Sequence, residues 1–294
     1  MIDLHVHTNF SDGTDSYIEV LKKAQNKGIE ILSITDHDNC YAYDELKKIN
    51  IKDYYDGIFI TGVELKTKVG TLPIELLGYG VDTDIINKEV KKMYPTFEKK
   101  NQYELKSLCN TCKKLEIDLG ENPLQEYDSN KWKYATDYIY EKIAKNSGNI
   151  RFCSHEDSFE NANRFYRREV CNENSRFYVD TEKLLPSISE VIDLIKKAHG
   201  LVFVPHIYVY KENSEKVFNH IIKNYKVDGF ECYYSRFTEE QTKKILEYCR
   251  LNNLYISGGS DYHGTYKPDI DLGVGTGNLN IKKDIVMPWI NKVI

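Results

Sequence analysis

The stretch Met1 to Thr14 holds the densest chemistry in the chain. His5 and His7 stand two residues apart in a short apolar run, and Asp12 follows in a turn marked by Ser11, Asp12 and Gly13. Side chains two apart on a strand point the same way, so both imidazoles project from one face at a strand end. Two imidazoles and a carboxylate so close together can form one corner of a metal site. The groups that could complete it are far away in sequence: His37, Glu64, Glu75, His206, Asp261 and His263. Of the 8 His in the chain, five (His5, His7, His37, His206 and His263) fall at predicted strand ends or in the turns after them. Any one of them alone reads better as a hydrogen-bonded structural imidazole; the set reads as a metal cluster.

The elements that must position this set alternate. Apolar spacing predicts a helix over 16–27 ending at Gly28, a strand over 30–35, a helix over 41–50, and strands over 57–63 and 71–81. After a long intermission come a helix over 187–199, a strand over 201–205, a helix over 212–224, a strand over 229–233, a helix over 238–252 and a strand over 254–257. A closing helix is expected over 281–293. This rhythm is that of a parallel α/β sheet or barrel, where chemistry gathers at the C-terminal ends of the strands. The intermission, 83–180, is Lys- and Glu-rich with helical periodicity, then irregular. It reads as an inserted, mainly helical subdomain, with 1–82 and 181–294 forming the barrel domain.

Composition narrows the function. With 41% hydrophobic and 29% charged residues the chain is a soluble globular protein, and it has no apolar run of membrane-spanning length. A net charge of −5 and the lack of a basic tail disfavour long nucleic acid as a partner, though not a small anion in a local pocket. Seven irregularly spaced Cys (40, 109, 112, 153, 171, 232 and 249) read as reduced thiols of a cytoplasmic protein.

Five stretches carry a resemblance: His5-x-His7 with Ser11-Asp12-Gly13, Ile34-Thr35-Asp36-His37-Asp38, Gly62-Val63-Glu64, Pro205-His206, and Gly259-Ser260-Asp261-Tyr262-His263-Gly264. In this order they resemble the PHP (polymerase and histidinol phosphatase) superfamily, in particular its stand-alone phosphoesterases with an inserted helical domain. The resemblance implies a distorted (βα)7 barrel with two or three divalent metals (Mn2+, Zn2+ or Fe2+) at one end. It implies that His5, His7, Glu64 and Asp261 hold one metal and that Asp12, His37 and His263 hold a second. Glu64 would bridge to a third, completed by His206 and Glu75. At Glu75 the sequence departs from the family, which usually has His there; a carboxylate favours harder, oxygen-loving metals. Four carboxylates contribute about −4 and three divalent ions about +6, which leaves a centre that attracts a phosphate dianion.

The implied chemistry is hydrolysis of a small phosphomonoester by hydroxide bridging two metals, with Asp261 or His263 moving protons. The relatives point to a nucleotide, either a nucleoside mono- or bisphosphate or the end of a short oligonucleotide. A sugar or histidinol-type phosphate is the alternative, and a non-catalytic metal- or phosphate-binding module a third. Substrate contacts are sought among the cations. Five of the seven Arg (151, 164, 167, 168 and 176) lie in the insertion, where Arg167 or Arg168 could grip phosphate with a planar fork, Arg168 then assisting catalysis. Their other reading is ion pairing with Glu156, Asp157, Glu160 and Glu169. Lys267 could meet the phosphate, and Tyr233 and Tyr234 could stack on a base or sugar or else fill the barrel rim. Asp36 or Asp38 is expected to orient an imidazole.

Overall fold

A computed structural model describes residues 1–294. Seven strands follow one another around a sheet: β1 (Ile2–Asp3), β2 (Ile31–Ile34), β3 (Ile58–Val69), β4 (Leu72–Tyr79), β5 (Leu201–Val204), β6 (Gly229–Tyr234) and β7 (Tyr255–Gly259). β1, β2 and β3 pair in parallel, as do β5, β6 and β7. β4 differs from the parallel rhythm expected of it, because it folds back on β3 and runs antiparallel to both β3 and β5. Only Gly70 and Thr71 separate β3 from β4. Gly70 takes a left-handed φ of 65°, and a connection this short permits only a hairpin.

The ring is completed between its first and last strands. Leu4 N donates to Gly258 O at 3.2 Å, Asp261 N to His5 O at 2.8 Å and His7 N to Tyr262 O at 2.9 Å. A Cβ at Gly259 would stand 2.4 Å from the His5 backbone nitrogen, so only glycine lets these two strands approach. Buried Asp3 strengthens the seam by accepting from Ser260 N (2.9 Å), the Ser260 hydroxyl (2.6 Å) and Gly273 N (2.7 Å).

The helices start where their sequences provide caps. Ser16 with Glu19, Ser187 with Glu190 and Thr238 with Gln241 each form a reciprocal capping box. Their apolar faces join one core with the outward strand residues: Val20, Leu21 and Ala24 pack with Leu32 and Ile34, and Val191, Leu194 and Ile195 pack with Val202 and Val204. A second core contains Ile31, Ile60, Leu77, Tyr79 and Phe203, covered by Val286, Trp289 and Ile290. The covering segment is not the single helix expected over 281–293. Pro288 cannot supply a helical N–H, and the chain makes two short turns, Lys283–Ile285 and Ile290–Lys292.

The chain forms two compact units, Met1–Tyr94 with Pro186–Ile294, and Pro95–Leu185. The helix Thr83–Met93, expected in the insertion, belongs to the first unit, because Ile86 and Val90 are buried in the main core. The second unit has its own core of Leu105, Leu108, Tyr138, Ile139, Ile143, Phe165 and Phe177, built on the helices Phe97–Lys114 and Ala135–Ala144. Its buried Glu169 accepts from Ser154 N (2.7 Å), His155 N (3.2 Å), the Ser158 hydroxyl (2.6 Å) and the Ser175 hydroxyl.

Candidate metal centre

Nine of the residues singled out in the sequence meet at one end of the barrel. Their donor atoms form overlapping groups, each within 4.8 Å: His7, Asp12, His37 and His263; His5, His7 and Asp261; His5, Glu64 and His206; His37, Glu64 and Glu75. Glu64 shares a strand face with Ile60, two pleats earlier. Its Oε2 lies 3.1 Å from His5 Nε2, 3.2 Å from His7 Nε2 and 3.4 Å from His37 Nδ1, and its Oε1 lies 2.9 Å from His206 Nε2. Asp261 Oδ1 lies 3.3 Å from His7 Nε2 and 3.4 Å from His263 Nδ1, and Asp12 Oδ1 lies 3.2 Å from His263 Nε2. Compared with the implied assignment, His7 also joins the Asp12 group. Glu75 stands 3.7 Å from His37 and 3.6 Å from His206.

Hydrogen bonds made outside the cluster show what the donors need. His5 Nδ1 meets Glu231 at 2.9 Å, and His263 Nδ1 meets the Asp261 carbonyl at 2.9 Å. An oxygen that can only accept requires the proton on Nδ1. Nε2 of each ring then presents a lone pair to a carboxylate, Glu64 for His5 and Asp12 for His263. Lone pair facing carboxylate is repulsive unless a second proton or a metal cation lies between them. His7 Nε2 is crowded by two carboxylates, Glu64 at 3.2 Å and Asp261 at 3.3 Å, and His37 Nδ1 is buried with no hydrogen-bond partner, a state that costs about 1–3 kcal/mol. Divalent cations satisfy these nitrogens and carboxylates together, so the residues fit the metals that the fold family implies.

The electrostatics agree. Burial opposes charge on His5, but Glu64, Glu231 and Asp261 outweigh it and raise its pKa well above the usual value. Burial likewise opposes charge on His7 and His206, yet hydrogen bonds to Asp261 and Glu64 bring His7 to about 9, and the bond to Glu64 brings His206 to about 9. Despite burial, His5 and the hydrogen bond from His206 hold Glu64 well below the carboxylate range, and His5 and His7 do the same for Asp261. Glu75 is pushed up to about 7 by burial and by Glu64. His37 falls to about 3 because it is desolvated. The cluster as a whole therefore draws positive charge, whether proton or cation.

Two cluster residues hold backbone conformations unusual for side-chain-bearing residues: Asp261 with φ 57° and His206 with φ 23°. Such strain persists where packing fixes it, often at sites that must aim a side chain.

Of the supporting residues, Glu231 was not singled out in the sequence. Glu231 braces His5 and also accepts from His206 N at 2.7 Å. Its signal was a lone carboxylate in an otherwise apolar strand. Tyr234, not Tyr233, reaches the cluster, donating to Asp261 Oδ2 at 2.9 Å. A β-bulge between Glu231 and Tyr233 shifts the alternation by one residue, so Glu231 and Tyr234 both face the site while Tyr233 packs among apolar side chains. Lys267 Nζ lies 2.6 Å from the same Asp261 oxygen. Asp36 does not bond an imidazole as expected. It accepts from Thr8 N (2.7 Å) and from the hydroxyls of Thr8 and Ser11 (2.6 Å each), shaping the loop that carries Asp12. Asp38 accepts from Lys66 N at 2.8 Å. In the inserted unit, Arg164 and Arg168 converge on Asp157 at 2.7 and 3.1 Å, and Arg167 is exposed. All seven Cys are free thiols, and no helix is long and apolar enough to cross a membrane.

Tyr234→Phe removes one of the two donors on Asp261 Oδ2 while Lys267 stays. Turnover should fall about 3- to 10-fold, the size of one hydrogen bond, with KM little changed; steady-state kinetics checks this.

A seven-stranded α/β barrel with imidazoles and carboxylates gathered at one end defines a class of metal-dependent hydrolases. The sequence pattern of the PHP domain matches residues 3–231, and the chain belongs to that family as a PHP-type metal-dependent phosphoesterase. Among related proteins, a 5'-3' exoribonuclease of Haemophilus influenzae is 24% identical over 293 residues, covering 98% of this chain and 97% of the relative. A 3',5'-nucleoside bisphosphate phosphatase of Chromobacterium violaceum is 33% identical over 82 residues, 28% of each chain. Among solved structures, a proposed metal-dependent phosphoesterase from Bifidobacterium adolescentis superposes with a TM-score of 0.61 at 20% identity, covering 99% of this chain and 96% of the other. An amidohydrolase from Chromobacterium violaceum, solved with bound sulfate and no metal, gives 0.57 at 20% identity, covering 92% and 89%.

Proposed function

We propose that this phosphoesterase removes phosphate from a nucleotide or from the end of a short oligonucleotide. The supporting observation is the pairing of an intact nine-residue donor set with end-to-end similarity to an exoribonuclease. The shorter match to a nucleoside bisphosphate phosphatase points to the same substrate class.

His5, His7, Glu64 and Asp261, then Asp12, His37 and His263, and finally His206 and Glu75 are the residues that would hold the metals. Bound there, divalent ions lower the pKa of water towards neutrality and neutralise phosphate charge. The protein's own part is positioning. Glu231 fixes the His5 ring, and Tyr234 with Lys267 fixes the Asp261 carboxylate. The Lys267 ammonium, 30% exposed, is the cation at the rim that can meet a phosphate oxygen. His263 and Asp261, linked through the Asp261 carbonyl, are the groups placed to hold or pass a proton. Manganese, or another metal accepting mixed nitrogen and oxygen ligands, suits the donor set, with Glu75 favouring an oxygen-loving ion.

The test is a panel of substrates in Mn2+: nucleoside 3',5'-bisphosphates, nucleoside monophosphates, 5'-phosphorylated tri- to pentanucleotides, and sugar and amino-alcohol phosphates. Phosphate release should be fastest from a nucleotide or oligonucleotide and should vanish with excess chelator. Preference for a sugar or amino-alcohol phosphate would replace this reading with a metabolite phosphatase, and metal binding without any turnover would replace it with a binding module.

A further inference from the structure

The inserted unit carries an aromatic and basic surface of its own. Residues 131–134 read Lys-Trp-Lys-Tyr, and Phe97 opens the helix beside them. Phe97 is 55% exposed and Tyr134 45%, and the rings meet edge to face with centroids 5.6 Å apart at 78°. Two large aromatic side chains left in water together give up the burial that most such residues obtain and leave their faces open to a ligand that can stack on them.

The lysines complete the pattern. Lys133 Nζ lies 5.3 Å from the Tyr134 ring centre, Lys131 Nζ lies 3.9 Å from the Trp132 ring centre, and Lys99 and Lys100 are exposed in the first turns of the helix that Phe97 begins. Two neighbouring acidic groups are already engaged, Glu98 by Gln102 at 3.3 Å and Glu141 by the Trp132 indole at 2.8 Å. The platform is rigid. Asn101 accepts from Ala135 N at 2.6 Å and donates to Lys133 O at 3.4 Å, tying the 131–135 segment to the helix.

We infer that Phe97, Tyr134 and their lysines form a binding surface for a short single-stranded nucleic acid. The bases stack on the aromatic rings while the ammonium groups pair with the phosphates, a combination that tolerates any base sequence. A duplex hides its base faces and does not fit. A chain of net charge −5 makes such a local surface selective for short strands rather than for polyanions in general. This inference rests on the nucleotide reading of the active site and extends it from mononucleotide to strand.

The test is fluorescence anisotropy of a labelled decauridylate with the full chain in chelator, so that no hydrolysis occurs, against Phe97→Ala/Tyr134→Ala and Lys131→Ala/Lys133→Ala. The aromatic variant should bind about 10- to 100-fold more weakly. The lysine variant should reduce the slope of log affinity against log salt by about 1.4, two phosphates at about 0.7 each. Hydrolysis of a chromogenic phosphomonoester in Mn2+ should be unchanged in both, and thermal melting confirms folding. Equal affinity of the aromatic variant and the parent, or parent binding to heparin or duplex RNA as tight as to the single strand, overturns the inference. So does a parent dimer by light scattering that the aromatic variant disperses, since the surface would then serve a second copy of this chain. If the nucleotide reading fails, the substrate panel shows it while decauridylate binding persists; if this surface fails, binding is lost while nucleotide hydrolysis remains.

Discussion

Glu64→Gln should abolish turnover, by about a thousandfold or more, and should release at least one metal ion per chain. The size follows from what Glu64 touches. One carboxylate reaches His5, His7, His37 and His206, each within 3.4 Å, and no other residue joins so many of the donors. The amide keeps the volume but loses the negative charge, and it turns an N–H2 donor towards an imidazole nitrogen. In the metal-loaded protein the positive ions would lose the anion they share. Loss of an outlying brace such as Glu231 should be milder, about 10- to 100-fold in metal affinity, because His5 keeps its position in the strand. Metal content by elemental analysis and phosphate release, measured on the same preparation, check the prediction. A Glu64→Gln protein that retains full metal and more than a tenth of parental turnover would remove Glu64 from the centre. Glu240→Gln, on the far helix Glu239–Leu251, is the control and should change neither.

What could be read from the letters was set by local periodicity. His5 and His7 are a pair two apart that flank Val6, whose bridge to Tyr262 keeps them extended, and both end on the cluster because strand-like backbone repeats every two residues; Asp261 and His263 reach it instead through the left-handed turn at Asp261. The strand ends themselves were legible, since Leu201–Val204 and Tyr255–Gly259 are short apolar runs between amphipathic helices. Features that depend on a departure from regularity were not legible. The bulge in β6 makes Tyr234 rather than its neighbour the cluster's partner, and nothing in Gly-Phe-Glu-Cys-Tyr-Tyr announces an extra residue. The hairpin of β3 and β4 passed for two more members of a parallel rhythm because both strands are apolar enough to be buried. Asp36 lies beside His37 in sequence, but successive strand residues face opposite ways, and it serves the Thr8–Ser11 turn instead. Partners remote in sequence but not paired by periodicity, such as Asp3 with Ser260 and Glu231 with His5, need the closed barrel to become visible.

The metal-free protein should lose stability as the pH rises from about 6.5 to 9, and metal should reverse the trend. In the folded apo state His7 and His206 titrate at about 9 instead of 6.5. Between those values the native chain binds more protons than the unfolded chain, so stability falls with rising pH: the contribution is complete below 6.5 and lost as pH passes through 9. A shift of this size in one buried group is worth on the order of 3 kcal/mol. Both imidazoles share Glu64, so the pair contributes less than twice that. Glu75, raised from 4.5 to about 7, adds a decline of the same sign at lower pH. His37, depressed to about 3, acts in the opposite sense, but only below 6.5, where the unfolded chain would take up its proton. Above 6.5 the fall therefore belongs to the raised imidazoles, His7 and His206 together with His5, whose pKa is also held above its usual value, with the last of Glu75 up to about 7. Metal binding needs the unprotonated rings, so affinity rises with pH and stabilisation by a fixed Mn2+ concentration rises with it. Melting curves with chelator and with Mn2+ at pH 6.5, 7.5 and 8.5 should therefore diverge, the chelated midpoint dropping by about 5–10 °C across the range while the loaded one holds or climbs. A chelated midpoint that stays level over this range would mean that the imidazoles are not held charged by these carboxylates, and with that the physical basis for a cation-seeking cluster would fall.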